Sequence, residues 1–152
     1  MSRCVSVISD LKAEKLTHKA TDVRMFSPDS EKIFLEFKPV RFTPGKEMQW
    51  EDWNCFDSLF VYRTDYERFL TPALEEMFPI EDPDPLGWGT QECFDAMGPN
   101  FIGREDWIRF IHALEAKYGT LRNDEKMFMD KVLPILKSYL DISECFCIEG
   151  NQ

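Results

Sequence analysis

Two histidines, five cysteines and several adjacent carboxylates are the residues of this 152-residue chain whose types could do chemistry. A Ser/His/Asp or Cys/His mechanism needs a histidine in reach of a nucleophile and an orienting acid. Neither His18 nor His112 has sequence neighbours that suggest such a set, so His112 reads as a partly exposed helix residue and no catalytic residue is assigned. Cys145-x-Cys147 could be half of a soft-metal site, but structural zinc prefers C-x₂₋₄-C with a second ligand pair. On a strand the two sulfurs would point the same way, which suits two buried, reduced thiols. No metal ligand is assigned.

The glycines of Gly87-Trp88-Gly89 and of the Gly98 to Gly103 stretch fit no phosphate-loop pattern, and the carboxylates around them would repel phosphate. Turn geometry accounts for them, and no cofactor is expected. Glu75/Glu76 and Glu81/Asp82 could be an acid/base couple only if placed across a cleft; a solvated face is the plainer expectation. Asp82 and Asp84, separated by Pro83, lack the glycine and closing glutamate of a calcium loop. Trp50, Trp53 and Trp88 lie beside acids and turns, where they either fill a small core or anchor a protein interface.

These side chains need elements to hold them. Trp107, Phe110, Ile111, Leu114 and Tyr118 recur at spacings of three and four and predict a helix over residues 104–118. Gly103 stands at its N-cap, Glu105 and Asp106 in its first turn, Lys117 in its last and Gly119 at its stop. Tyr66, Phe69, Leu70, Ala73, Leu74, Met77 and Phe78 predict a second helix. It opens with Thr64 and Glu67 at capping-box spacing, and Pro72 should kink or divide it, with Thr71 capping the second piece. Phe128, Val132, Ile135, Leu136 and Tyr139 mark a third helix, capped by Asn123, which Pro134 should kink or interrupt.

Ile33, Leu35 and Phe37 alternate with polar or outward positions as a strand does, and pairing should end, bulge or reach a sheet edge at Pro39. Residues 59–62 read as a buried strand and 143–148 as a last one. Residues 5–8 are β-prone and 9–18 weakly amphipathic. The predicted architecture is α+β: one domain over residues 1–152, with two or three amphipathic helices on a small, mostly antiparallel sheet. Residues 79–87, with three prolines among three carboxylates, predict a stiff, exposed acidic surface loop, a kind of segment that often carries binding.

Charge narrows the partner. The net charge is −10, and residues 51–152 hold nine Lys and Arg against twenty-one Asp and Glu. Such a field disfavours nucleic acid and anionic membrane as partners and attracts basic ones, although plain solubility would also account for it. No apolar run is long enough to span a membrane, and Ser, Asp and Lys break up the first fifteen residues before a signal core forms. Scattered cysteines in odd number suit a reducing compartment. The expected location is the cytoplasm.

The segment Glu92-Cys93-Phe94-Asp95-Ala96-Met97-Gly98-Pro99-Asn100-Phe101-Ile102, followed by Arg104-Glu105-Asp106-Trp107, resembles small bacterial immunity proteins of polymorphic-toxin and contact-dependent growth inhibition systems. There a strand ends in Phe-Asp, a glycine/asparagine turn follows, and a helix opens with an acidic-Trp motif. The resemblance covers about thirty residues. It implies a non-enzymatic inhibitor that binds a cognate toxin domain, often a nuclease with a cationic surface. Glu75, Glu76, Glu81, Asp82 and Asp84 would form the charged rim of that partner-binding surface, with Trp88 as its anchor. Two other readings stay open: an adaptor for another basic partner, and a small ligand-binding enzyme with a pocket of aromatics and acids near His112.

Overall fold

The computed structural model describes residues 20–43 and 45–152. The β-prone and amphipathic readings of residues 5–18, together with Cys4, His18, Pro44 and the side chain of Trp50, lie outside what is described.

The chain is α+β. In order it forms β1 (Ala20–Val23), β2 (Phe34–Val40), α1 (Trp50–Asn54), β3 (Ser58–Tyr62), α2 (Arg63–Phe69), α3 (Thr71–Met77), β4 (Ile80–Glu81), β5 (Thr90–Gln91), β6 (Pro99–Gly103), α4 (Arg104–Tyr118), α5 (Asn123–Ser138), a 3₁₀ turn (Tyr139–Asp141) and β7 (Cys145–Gly150). Among the described residues, five strands make one sheet in the order β1-β3-β2-β7-β6, while β4 and β5 pair with each other in a second, two-stranded one. The β1–β3 pair is parallel and the others are antiparallel.

Alternation along the strands divides the core in two. Leu35, Phe37, Leu59, Val61, Ile102, Phe146 and Ile148 face the helices, in a core completed by Phe69, Leu74, Trp107, Phe110, Leu114, Phe128 and Leu136. On the other face Val40, Phe101, Cys145 and Cys147 pack beneath Met48 and Trp53, the latter carried by α1. Met48 and α1, through Trp53, thus cover the second face. Trp53 is 7% exposed, so it belongs to the core. Its indole N–H is buried and has no hydrogen-bond partner among the described residues.

The helix over residues 104–118 has the expected bounds and N-cap. Trp107 is fully buried, stacks on Phe146 with ring centroids 4.7 Å apart, and donates its indole N–H to the Leu136 carbonyl at 3.0 Å. One side chain thereby joins α4, α5 and β7. Pro72 divides its helix as expected, but the caps differ. Glu67 pairs with Arg63 at 3.2 Å instead of closing a box with Thr64, and the Thr71 hydroxyl is buried with no hydrogen-bond partner among the described residues. At α5 the N-cap is Arg122, whose backbone N–H is taken by the Glu125 carboxylate at 2.8 Å, and the helix runs uninterrupted through Pro134. Pro39 stays inside β2, paired with Phe146 on the β7 side; on the β3 side the register ends at Phe37, before the missing donor would matter.

Candidate functional site

The sequence nominated the 79–87 segment as an exposed acidic loop, and the structure corrects that. β4 and β5 are the ends of a hairpin, with Ile80 against Gln91 and Glu81 against Thr90. Asp82 and Asp84 point inward and are 7% and 4% exposed. The Asp82 carboxylate accepts the N–H groups of Asp84 (2.9 Å) and Trp88 (3.0 Å), and Asp84 accepts that of Leu86 (3.0 Å). Gly87 donates to the Asp84 carbonyl across Pro85 at 2.9 Å and Asp82 to the Gly89 carbonyl at 2.8 Å, and the short acidic side chains add to these backbone bonds by taking the N–H groups left over. Both aspartates shape the hairpin and are unavailable to a charged rim.

Glu75, Glu76 and Glu81 are exposed. Glu76 lines a groove of about 410 Å³ between α3 and α4, floored by Ala73, Met77, Phe110 and Ala113 and bordered by His112 and Arg109. Glu81 lines a second hollow of about 320 Å³, with Pro79, Ile80, Thr90, Asp106 and Arg109. Arg109 borders both. Its guanidinium is held by Asp106, the Nε at 3.1 Å, so a cation in the middle of the acidic strip is already neutralised by its own helix. The α3–α4 groove is thus an apolar trough bordered by the Glu76 carboxylate, and Glu81 lies in the neighbouring hollow that shares Arg109 with it.

Trp88 is not part of this trough. It is 42% exposed, and its ring meets Phe101 edge-on with centroids 5.1 Å apart. Phe101 belongs to the sheet face covered by Trp53, opposite the helices. The hairpin therefore straddles the β6 edge, with Glu81 on the helix side and Trp88 on the other. Sequence proximity had placed them on one surface.

His112 is exposed on α4, and among the described residues no hydrogen bond orients its ring. Cys145 and Cys147 are fully buried and, among the described residues, in no disulfide, and burial raises the pKa of the Cys147 thiol above its ordinary value. Among the described residues no three His, Cys, Asp or Glu are grouped to hold a metal ion, and no helix is long and apolar enough to cross a membrane.

Sequence reasoning missed a buried charge cluster on the outer sheet face. Lys38 is 2% exposed; its ammonium lies 3.2 Å from Glu36, 3.2 Å from the Asn54 side-chain oxygen and 3.7 Å from Glu149. Burial would lower the Lys38 pKa, but the charges around it, Glu36 foremost, hold it above its ordinary value. The Glu149 carboxyl is also raised, through burial, with Lys38 opposing. Strand alternation placed Glu36 and Lys38 on one face in the sequence, but α1 covering that face left no sequence signal. Asp65 was missed as well: fully buried, it accepts the N–H groups of Met25 (3.0 Å), Phe26 (2.8 Å) and Ser27 (3.4 Å) and anchors the turn after β1.

Compared with models of protein families, with curated proteins and with solved structures, the chain gives no match.

Proposed function

We propose that the chain is a non-enzymatic acidic binding protein that neutralises a basic protein partner, in the manner of an immunity protein bound to its toxin domain. The observation that supports this reading is the α3–α4 trough. Its apolar floor can take a buried anchor; Glu76 borders it, Glu81 lines the adjoining hollow and Glu75 stands on the same helix as Glu76, all exposed to meet cations, in the manner of the core and rim by which proteins recognise one another. A net charge of −10 adds steering toward a cationic surface.

The test is capture from native cells with the tagged chain, in parallel with a Glu75→Lys/Glu76→Lys/Glu81→Lys variant. Recovery of one basic domain that is toxic when expressed alone, rescued by the wild-type chain and not by the variant, is the expected result. Rim charges act chiefly on association, so binding should fall about tenfold or more between 50 and 300 mM salt. A captured partner that is harmless on its own would favour an adaptor. Binding indifferent to the triple substitution would remove the trough as the site.

A further inference from the structure

β6 forms one edge of the five-stranded sheet, and its pairing with β7 fixes which backbone groups face outward. Gly150 donates its N–H to the Gly98 carbonyl, so even-numbered residues face β7 and the peptide groups of Pro99, Phe101 and Gly103 face the edge. Phe101 confirms this alternation. Its N–H donates to the Gln91 side-chain oxygen at 2.9 Å, and its carbonyl accepts from the Gln91 side-chain nitrogen at 2.6 Å. A carboxamide carries the same donor and acceptor as a peptide group, so one side chain stands where a sixth strand would pair. The hairpin adds Trp88 over the Phe101 ring and Pro83 against Gly103, yet β4 and β5 share no backbone ladder with β6.

The edge beneath is self-complementary. Pro99 has no N–H to give, and the carbonyl of Gly103, the N-cap residue, belongs to the first turn of α4. Place a second β6 antiparallel to the first, with Phe101 opposite Phe101. The two phenylalanines exchange two hydrogen bonds, and each Gly103 N–H reaches the Pro99 carbonyl of the other copy. The missing donor of Pro99 then falls opposite the occupied carbonyl of Gly103, so neither deficit leaves a group unpaired. Few neighbouring strands could satisfy that edge as well as its own duplicate.

We infer that Gln91 is an edge guard, and that the surface it closes is a dimerisation edge for a second copy of this chain. While the carboxamide is seated on Phe101 the chain stays a monomer. When the hairpin is released, two copies join through β6 into one continuous ten-stranded sheet. Exposed sheet edges pair unless something blocks them, and here the block is a side chain carried by the β4–β5 hairpin and not a strand of the sheet.

The experiment compares wild type with Gln91→Ala and with Gln91→Leu, which keeps bulk and removes both hydrogen bonds; circular dichroism confirms that each folds. Sedimentation velocity from about 10 µM to 1 mM, a range suited to a small edge contact, is run with amide exchange read at Phe101. Wild type should remain monomeric. The variants should approach twice the monomer mass as concentration rises, and their Phe101 amide should exchange at least tenfold faster than wild type when dilute and regain protection when concentrated. Adding Gly103→Pro, whose φ of −77° suits proline, removes two of the four bonds and should return the variants to monomer. Monomeric variants at every concentration would overturn the dimerisation edge, and Phe101 exchange equal to wild type would overturn the guard.

Discussion

At the scale of single residues, Lys38 carries the largest electrostatic liability in the fold. Two carboxylates, Glu36 and Glu149, share its ammonium beneath α1. Removing one member of a buried charge set strands the others, at a cost of about 3–5 kcal/mol. Lys38→Met should therefore lower the urea-derived stability at pH 7 by about that amount, and acidification should recover part of it as the Glu149 carboxyl, already raised by burial, takes up its proton. The pH dependence of the wild type follows from the directions of its shifts. Glu149 holds its proton more tightly folded than unfolded, so this group favours the folded state below its ordinary value of 4.5 and costs stability as pH rises through that value toward the folded one. Lys38 is also raised, so its contribution is complete below its ordinary value of 10.5 and is lost as pH climbs through the folded one. Comparing wild type with Glu149→Gln between pH 4 and 7 checks the first sign: the gap in stability should move in favour of the glutamine variant as pH rises. Asp82 and Asp84 teach the complementary lesson. Sequence composition marked them as surface charge, whereas the short reach of aspartate makes it a good partner for backbone N–H groups that the turn itself leaves unpaired.

Among the elements, α4 was the most legible, because its stripe, its first-turn acids and both of its glycine boundaries agree on one span. Its weight in the fold rests on Trp107. Trp107→Phe keeps most of the apolar contact with Phe146 but leaves the Leu136 carbonyl without its donor. The expected cost is about 2–3 kcal/mol, against about 3–5 for Trp107→Ala, both read from denaturant midpoints at unchanged slope. Helix ends were less legible than helix faces. Thr64, Thr71 and Asn123 each have the chemistry of a cap, but tertiary pairing decided otherwise: Glu67 went to Arg63, and Glu125 serves both the Arg122 backbone and Arg68, the latter at 2.8 Å. Pro134 broke nothing, since its exposed position on α5 lets water serve the carbonyl it leaves unpaired.

For the molecule as a whole, twenty-eight acids against eighteen bases set up self-repulsion that added salt should relieve. Raising sodium chloride from 20 to 300 mM should lift the melting temperature by about 2–4 °C, equivalent to about 1 kcal/mol at this size. The same salt should weaken the proposed basic partner, so stability and binding move in opposite directions. The sequence by itself determined the class of the fold, the span of α4, the division at Pro72, the strands β2, β3 and β7 of the central sheet, though not β1 or β6, and the acidic character of residues 51–152. These depend on periodicity, on proline and glycine, and on counted charge, all local to the chain. Only the tertiary structure decided which acids face outward, that Trp88 and Glu81 lie on opposite sides of the β6 edge, that Lys38 is buried and that Gln91 closes a strand. Each of those depends on which residues the sheet order and the helix packing bring together across long separations, and no spacing within a single segment encodes such a meeting.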